Sequence, residues 1–240
     1  MRGNSGFMIR GILAAVGAVL ALTTAPVQAQ SNTVVVELFT SQGCSSCPPV
    51  DELLRALSER DDVIALALHV DYWDYIGWKD SFANPAHTKR QKAYAYAAGQ
   101  RTIYTPQVIV GGKDHVVGYE PMRLAKLIQD HIMGGFEISM SVTRTGEGML
   151  IEATAPANPM DGIVVQLVRY MPEATVDIRR GENAGLTMSY SNIVTDWSVL
   201  GNWDGASPLS LTADVSGDEP LVVVLQRTGH GPILAAARLQ

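Results

Sequence analysis

The sequence predicts an α/β fold: a three-layer unit with helices on both faces of a sheet, followed by a C-terminal all-β domain or sheet extension. Three observations lead there. An apolar, β-branched run (Val34, Val35, Val36, Leu38, Phe39) ends in Ser41, Gln42 and Gly43, and apolar residues then recur at Val50, Leu53, Leu54 and Leu57. That i, i+3, i+4, i+7 stripe is the mark of an amphipathic helix, whereas the β-branched run reads as a strand. Next, Val63–Val70 is continuously apolar, as in a strand buried on both faces. Strand, helix, strand makes a βαβ unit with a right-handed crossover. Beyond Phe136, finally, short alternating segments separated by Gly, Pro, Asn and Asp replace the helical pattern.

The 240 residues and 47% hydrophobic content suit one large domain or two small ones with a real core. Residues 1–29 are set aside first, because Arg2 and Arg10 precede an apolar run from Ile12 to Leu22 that leads to Val27-Gln28-Ala29. This pattern is expected for a secretory leader cut after Ala29, and its apolar run is short for a membrane span. Its removal takes the net charge from −6 to −8, and the expected location is exported and periplasmic. No membrane span is expected in the mature chain. No nucleic-acid partner is expected either, since the basic surface that phosphate binding needs is missing.

The helix of Val50–Ser58 and the strand of residues 63–70 are followed by a polar, aromatic stretch holding Tyr72, Trp73, Tyr75, Trp78 and Asp80. Large rings are used mostly for burial, so this stretch is read as packing over a core rather than lining a groove. Asn84 and Pro85 are an N-cap and a first-turn proline, and Gly99 closes a helix over residues 85–98. Pro106 precedes a strand through Val108-Ile109-Val110. Gly111-Gly112 turns into a second short strand at residues 115–117, and Pro121 opens a last helix ended by Gly134-Gly135. Strands are expected over 136–142, 149–155, 163–170, 208–213, 220–227 and 232–238. The division is therefore a leader (1–29), an α/β domain (30–135) and a β-rich region (136–240).

The chemistry lies in Cys44-Ser45-Ser46-Cys47, the chain's two cysteines. A bridge across so short a loop restricts the unfolded chain very little, so stapling is a poor reason for it. Two cysteines alone cannot build a zinc ribbon. At the start of a helix, unpaired N–H groups and the positive end of the dipole favour a thiolate, so the pair is read as a redox dithiol. That reading needs sulfurs that can be reached. Pro48-Pro49 is expected to delay the helix, because a residue before proline is pushed out of the α region.

Strand, Cys-x-x-Cys, helix, strand, inserted helix, Thr105-Pro106 before a strand, hairpin and final helix resemble the thioredoxin fold over residues 34–133. The resemblance implies that Pro106 is cis and packs beside the dithiol, that Cys44 is the attacking thiolate, and that Cys47 resolves the mixed disulfide. It also sets Glu37, seven residues before Cys44, close to where such proteins keep a buried acid that moves the second cysteine's proton. The spacing is one residue longer than usual, and the alternative is a solvent-facing strand residue. More closely, Val36–Leu54, His69–Ala93, Tyr104–Gly112 and Arg180-Gly181-Glu182-Asn183-Ala184-Gly185-Leu186-Thr187 resemble the domain-of-unknown-function 1223 family of exported bacterial proteins. That family implies a thioredoxin-like domain plus a β domain and no settled activity.

The expected function is thus thiol–disulfide exchange on protein thiols or disulfides, with Cys44, Cys47, Pro106 and Glu37 as site residues, an unidentified redox partner, and neither cofactor nor resident metal. One alternative is a copper(I) chaperone using both cysteines with His69, His87 or His115, since soft thiolates suit that ion. The other is a non-catalytic binding module. Arg179, Arg180, Glu182, Asn183 and Tyr190 are read as a solvated polar cluster, Trp197 and Trp203 as core anchors, and no catalytic role is expected beyond residue 135.

Overall fold

In the computed structural model, Gly3 and residues 33–135, 138–146, 148–156 and 162–239 are described. Apart from Gly3, the expected leader lies outside the described residues. The central strand is β1 (Val34–Thr40), parallel to β2 (Val63–His69) with Thr40 opposite His69. On its other side β1 pairs antiparallel with β3 (Gln107–Val110), which forms a hairpin with β4 (Asp114–Val117).

Side-chain parity divides the helices between the two faces. Val34, Val36 and Leu38 of β1 pack with Val63, Ala65 and Ala67 of β2 beneath Val50, Leu54 and Leu57 of α1 (Pro48–Ser58), and beneath Leu124 and Ile128 of α3 (Pro121–Gly134). The intervening Val35, Phe39, Ile64, Leu66 and Leu68 face the other way, onto Tyr94 of α2 (Pro85–Ala97). Both faces are covered, which is why these strands read as near-continuous apolar runs, with Glu37 and His69 as the charged or titratable exceptions.

The β-rich part continues this sheet. β7 (Ile163–Asp177), β8 (Thr187–Trp203), β10 (Leu221–Arg227) and β11 (Ile233–Arg238) complete an eight-stranded mixed sheet in the order β11-β10-β7-β8-β2-β1-β3-β4. The link is parallel pairing of Ala67 with Ile193. A second sheet, β5 (Ser139–Thr145), β6 (Gly148–Thr154) and β9 (Leu209–Asp214), is stacked on the extension through Met140, Ile151, Val165, Val223 and Ala235.

Two expectations change. β8 and the outer half of β7 form a long hairpin that the sequence pattern did not reveal. Asn192 sits at φ 50° and the ladder slips at Val165/Gln166 and Arg169/Tyr170, so side-chain alternation is broken midway. And α1 is not delayed: it begins at Pro48, with Cys47 as N-cap in the αR region. Prolines at the first two positions forgo only N–H groups that have no intrahelical partner, while the Cys47 carbonyl accepts from Val50 and Asp51 N–H at 2.8 and 3.1 Å.

Candidate functional site: a buried disulfide over a polar cluster

The turn after β1 carries Cys44 and Cys47, joined as a disulfide at the N-terminus of α1. The Thr105–Pro106 bond is cis. Ser46 Oγ lies 3.5 Å from both Cys44 Sγ and the Thr105 carbonyl oxygen, so the dithiol turn and the Pro106 segment adjoin.

The sulfurs are not reachable as the sequence reading required. Cys44 is 1% and Cys47 0% exposed, while Ser45 and Ser46 between them are exposed. The aromatic segment closes the site from above: a Cβ added to Gly43 would lie 3.2 Å from Trp73 Cβ, and the Trp73 indole N–H donates to Thr105 Oγ1 at 2.7 Å. Trp78 Nε1–H donates to Gln42 Oε1 at 2.8 Å. Asn183 closes it from the side, its amide donating to the carbonyls of Gln42 and Cys44 at 2.9 and 3.0 Å. Residues beyond 135 therefore complete the site: Arg179, Arg180 and Glu182 are exposed, as expected of a solvated cluster, but Asn183 and Tyr190 are buried, because β8 lies directly against β2.

Joined to the disulfide turn through the Gln42 N–H and the Cys47 carbonyl is a polar cluster that sequence reasoning missed. Thr40 and His69, opposite each other at the ends of β1 and β2, share the α1 face, and Asp51 of α1 is buried with them. Asp80 accepts from His69 Nδ1 at 2.7 Å and from the N–H groups of Gln42 and Phe82 at 2.8 Å each. The His69 ring packs edge-on against Phe82 and Tyr190. Among the described residues, the buried side-chain N and O atoms without a hydrogen-bond partner are Thr40 Oγ1, both Asp51 carboxylate oxygens and His69 Nε2. All belong to this cluster. Burial pushes the Asp51 carboxyl up to about 7, against the lowering pull of His69 and of the nearby Thr40 hydroxyl, with Asp80 adding to the rise. Burial also works to raise Asp80, but its His69 contact and two backbone amides outweigh it, and its pKa is lowered. The Tyr190 phenol is pushed up by burial and by the carboxylates of Asp51 and Asp80.

Glu37 is not brought to the dithiol. It shares the parity of Val35 and Phe39 and so faces α2, on the sheet side opposite α1. It is fully buried rather than solvent-facing. Arg90 Nε and Nη2 donate to its carboxylate at 2.6 and 3.1 Å, and the Tyr94 hydroxyl donates at 2.6 Å. The Arg90 guanidinium lies 3.6 Å from the Trp197 ring centroid. These two residues help line a cleft of about 430 Å³ between α2 and the sheet extension, away from the cysteines. Trp203 is a core residue, as expected, and Trp197 is half-buried.

The three histidines are engaged separately. His69 is held by Asp80, while His87 is buried with Nδ1 2.8 Å from the His69 carbonyl oxygen. His115 has Nδ1 3.2 Å from the Gln107 amide nitrogen. Among the described residues, no three His, Cys, Asp or Glu side chains are grouped to hold a metal ion, and no helix is long and apolar enough to cross a membrane.

The family model described as "Protein of unknown function (DUF1223)" matches residues 35–226. An X-ray structure of a protein from Agrobacterium tumefaciens is 35% identical, with a TM-score of 0.74, and the match covers 86% of this chain and 93% of that one. The structure of HBP35 of Porphyromonas gingivalis, 13% identical with a TM-score of 0.60 over 87% of this chain and 74% of that one, shares the fold. No curated protein matches the chain.

Proposed function

The chain belongs to the DUF1223 family, whose members are described only as proteins of unknown function, and from its own geometry we propose a shielded thiol–disulfide exchange protein. Its location is exported and periplasmic, as the N-terminal apolar segment suggests. The observation that carries this reading is the placement of the Cys44–Cys47 disulfide at the N-terminus of α1, directly beside the Thr105–Pro106 segment. Helix amides and dipole favour a thiolate there. The strand order β2-β1-β3-β4, with α1 and α3 on one face and α2 on the other, is similar to the thioredoxin fold and supports the same reading.

Exchange proceeds through Cys44, whose Sγ lies 3.5 Å from the hydroxyl of the exposed Ser46. A partner thiolate attacks Cys44 Sγ, the Cys44–Cys47 bond breaks, and the electron pair leaves on Cys47. The partner's second cysteine, as its thiolate after losing its proton to solvent, then attacks the partner sulfur of the mixed disulfide, releasing oxidised partner and a free Cys44 thiolate. Because both sulfurs are covered, this requires the segment around Trp73 to open, breaking its bond to Thr105.

The same burial favours a second reading, a non-catalytic binding module with an inert bridge. The reduction potential separates them. Equilibration of the folded protein with glutathione and dithiol buffers is expected to give a value between about −270 and −120 mV, the range of working couples. A value below about −300 mV marks an inert structural bridge and overturns exchange.

A further inference from the structure

A disulfide that opens inside a protein leaves its charge where water cannot stabilise it. When a thiolate attacks Cys44, the negative charge appears on Cys47, the N-cap residue of α1 and fully buried. A buried thiolate without a counter-charge is costly, so a proton has to be at hand. The strand acid Glu37 is on the wrong face and committed to Arg90.

Asp51 is differently situated. It follows Cys47 by four residues on α1, and its N–H donates to the Cys47 carbonyl. Residues at that separation are neighbours on a helix surface, and helical side chains lean toward the preceding turn. Its two oxygens, the Thr40 hydroxyl and His69 Nε2 are all buried and unpartnered. An ionised Asp80 can only accept, so the hydrogen bond between it and His69 puts a proton on Nδ1 and leaves Nε2 facing the cluster. The groups facing Asp51 are therefore Thr40 from β1, His69 from β2, Asp80 from the aromatic segment and Tyr190 from β8.

We propose that Asp51 is the proton carrier for Cys47. This rests on the exchange reading above. In the reductive direction the Asp51 carboxylic acid gives its proton to the departing Cys47 thiolate, leaving a Cys47 thiol and an Asp51 carboxylate. In the oxidative direction the carboxylate removes the Cys47 proton, and the new thiolate attacks the mixed disulfide at Cys44 and expels the partner thiolate. Atoms and electrons balance with a protein dithiol as co-reactant in the reductive direction and a protein disulfide in the oxidative one. The rise of the Asp51 pKa to about 7 suits a group that must hold and release a proton near neutrality.

The test is the rate at which dithiothreitol reduces the folded full chain between pH 5.5 and 9, followed by thiol labelling and corrected for the reagent's thiolate fraction. The native protein is expected to slow as pH rises through about 7, when Asp51 loses its proton. Asp51→Asn is expected to lack that inflection and to react roughly 10²-fold more slowly at pH 6, as for loss of a general acid. A folded variant with the native profile overturns the assignment to Asp51 while leaving exchange intact. A native disulfide that the reagent does not open at any pH overturns exchange, and this inference with it. Should the variant fail to fold, carbon-13 NMR of the native protein decides. The Asp51 carboxyl is expected to titrate near 7 in the oxidised form and to shift on reduction, and a normal titration near 4 refutes the assignment.

Discussion

Replacing Asp51 by asparagine should make the oxidised protein more stable at pH 8, and should do little at pH 4. The side chain is buried without a hydrogen-bond partner, and burial moves its pKa from the ordinary 3.8 to about 7. Between those values the folded chain holds a proton that the unfolded chain has released. Stability linked to Asp51 is therefore present in full below about 3.8, falls as pH rises, and is lost above about 7. At about 1.4 kcal/mol per pH unit, the span amounts to an upper limit of about 4 kcal/mol. Asparagine has nearly the shape of the protonated acid and no charge to bury. Urea unfolding of both oxidised proteins at pH 4, 6 and 8 should thus show the variant gaining up to about 4 kcal/mol on the native protein across the series. Subtraction cancels the titrations the two proteins share. A difference that stays constant with pH would refute the claim that Asp51 is buried as an acid.

His87 should act with the opposite sign. Burial lowers its pKa from 6.5 to about 4, so its stabilising contribution is present above about 6.5 and falls away by about 3 kcal/mol as pH drops to 4. His87→Gln should flatten the acid limb of the unfolding curve, and an unchanged limb would count against a buried neutral imidazole. Arg90→Ala leaves Glu37 charged, buried and unpaired, and should cost about 3–5 kcal/mol in urea unfolding; the double change Glu37→Leu with Arg90→Met should recover most of it, and no recovery would contradict the ion-pair account. Asn183→Ala removes the donor to the Gln42 and Cys44 carbonyls. A cost of about 1–3 kcal/mol is expected, together with faster reduction by dithiothreitol, and equal reduction rates would show that Asn183 does not help close the site.

What the sequence revealed depended on how local each determinant was. α1, α2 and the hairpin of β3 and β4 announced themselves through apolar spacing, an N-cap, prolines and a Gly-Gly turn, all of which act within a few residues. The dithiol and its neighbour Pro106 were legible as motifs for the same reason. Glu37 was misplaced because its distance from Cys44 along the chain does not say which sheet face it occupies; that depends on which helix covers which parity. Asp51 stands in a helix's first turn, where the dipole welcomes negative charge, and nothing in its local sequence marks it as buried. It becomes a buried acid only because His69, Asp80 and Tyr190 arrive from three distant segments. β8 was hidden because the ladder slips opposite it and Asn192 interrupts its alternation.

The opposing titrations of Asp51 and His87 bear on why such a cluster can persist. Asp51 costs stability as pH rises from 4 to 7, while His87 contributes more over nearly the same interval, so these two contributions largely offset each other. The two are joined through His69, whose ring faces Asp80 and the Asp51 cluster and whose carbonyl oxygen meets His87 Nδ1. The buried acid Asp51 is thus set against a buried imidazole of opposite pH dependence, with His69 lying between the two. β8 contributes to the same end: Tyr190 packs on the His69 ring, while the segment leading into β8 supplies Asn183 to the Cys44 carbonyl. If the C-terminal strands served only to enlarge the sheet, neither contact would be needed. Their convergence on the disulfide turn and on the neighbouring cluster joins the two halves of the chain at one place, so Asn183→Ala is a change in one half that is expected to be felt in the other.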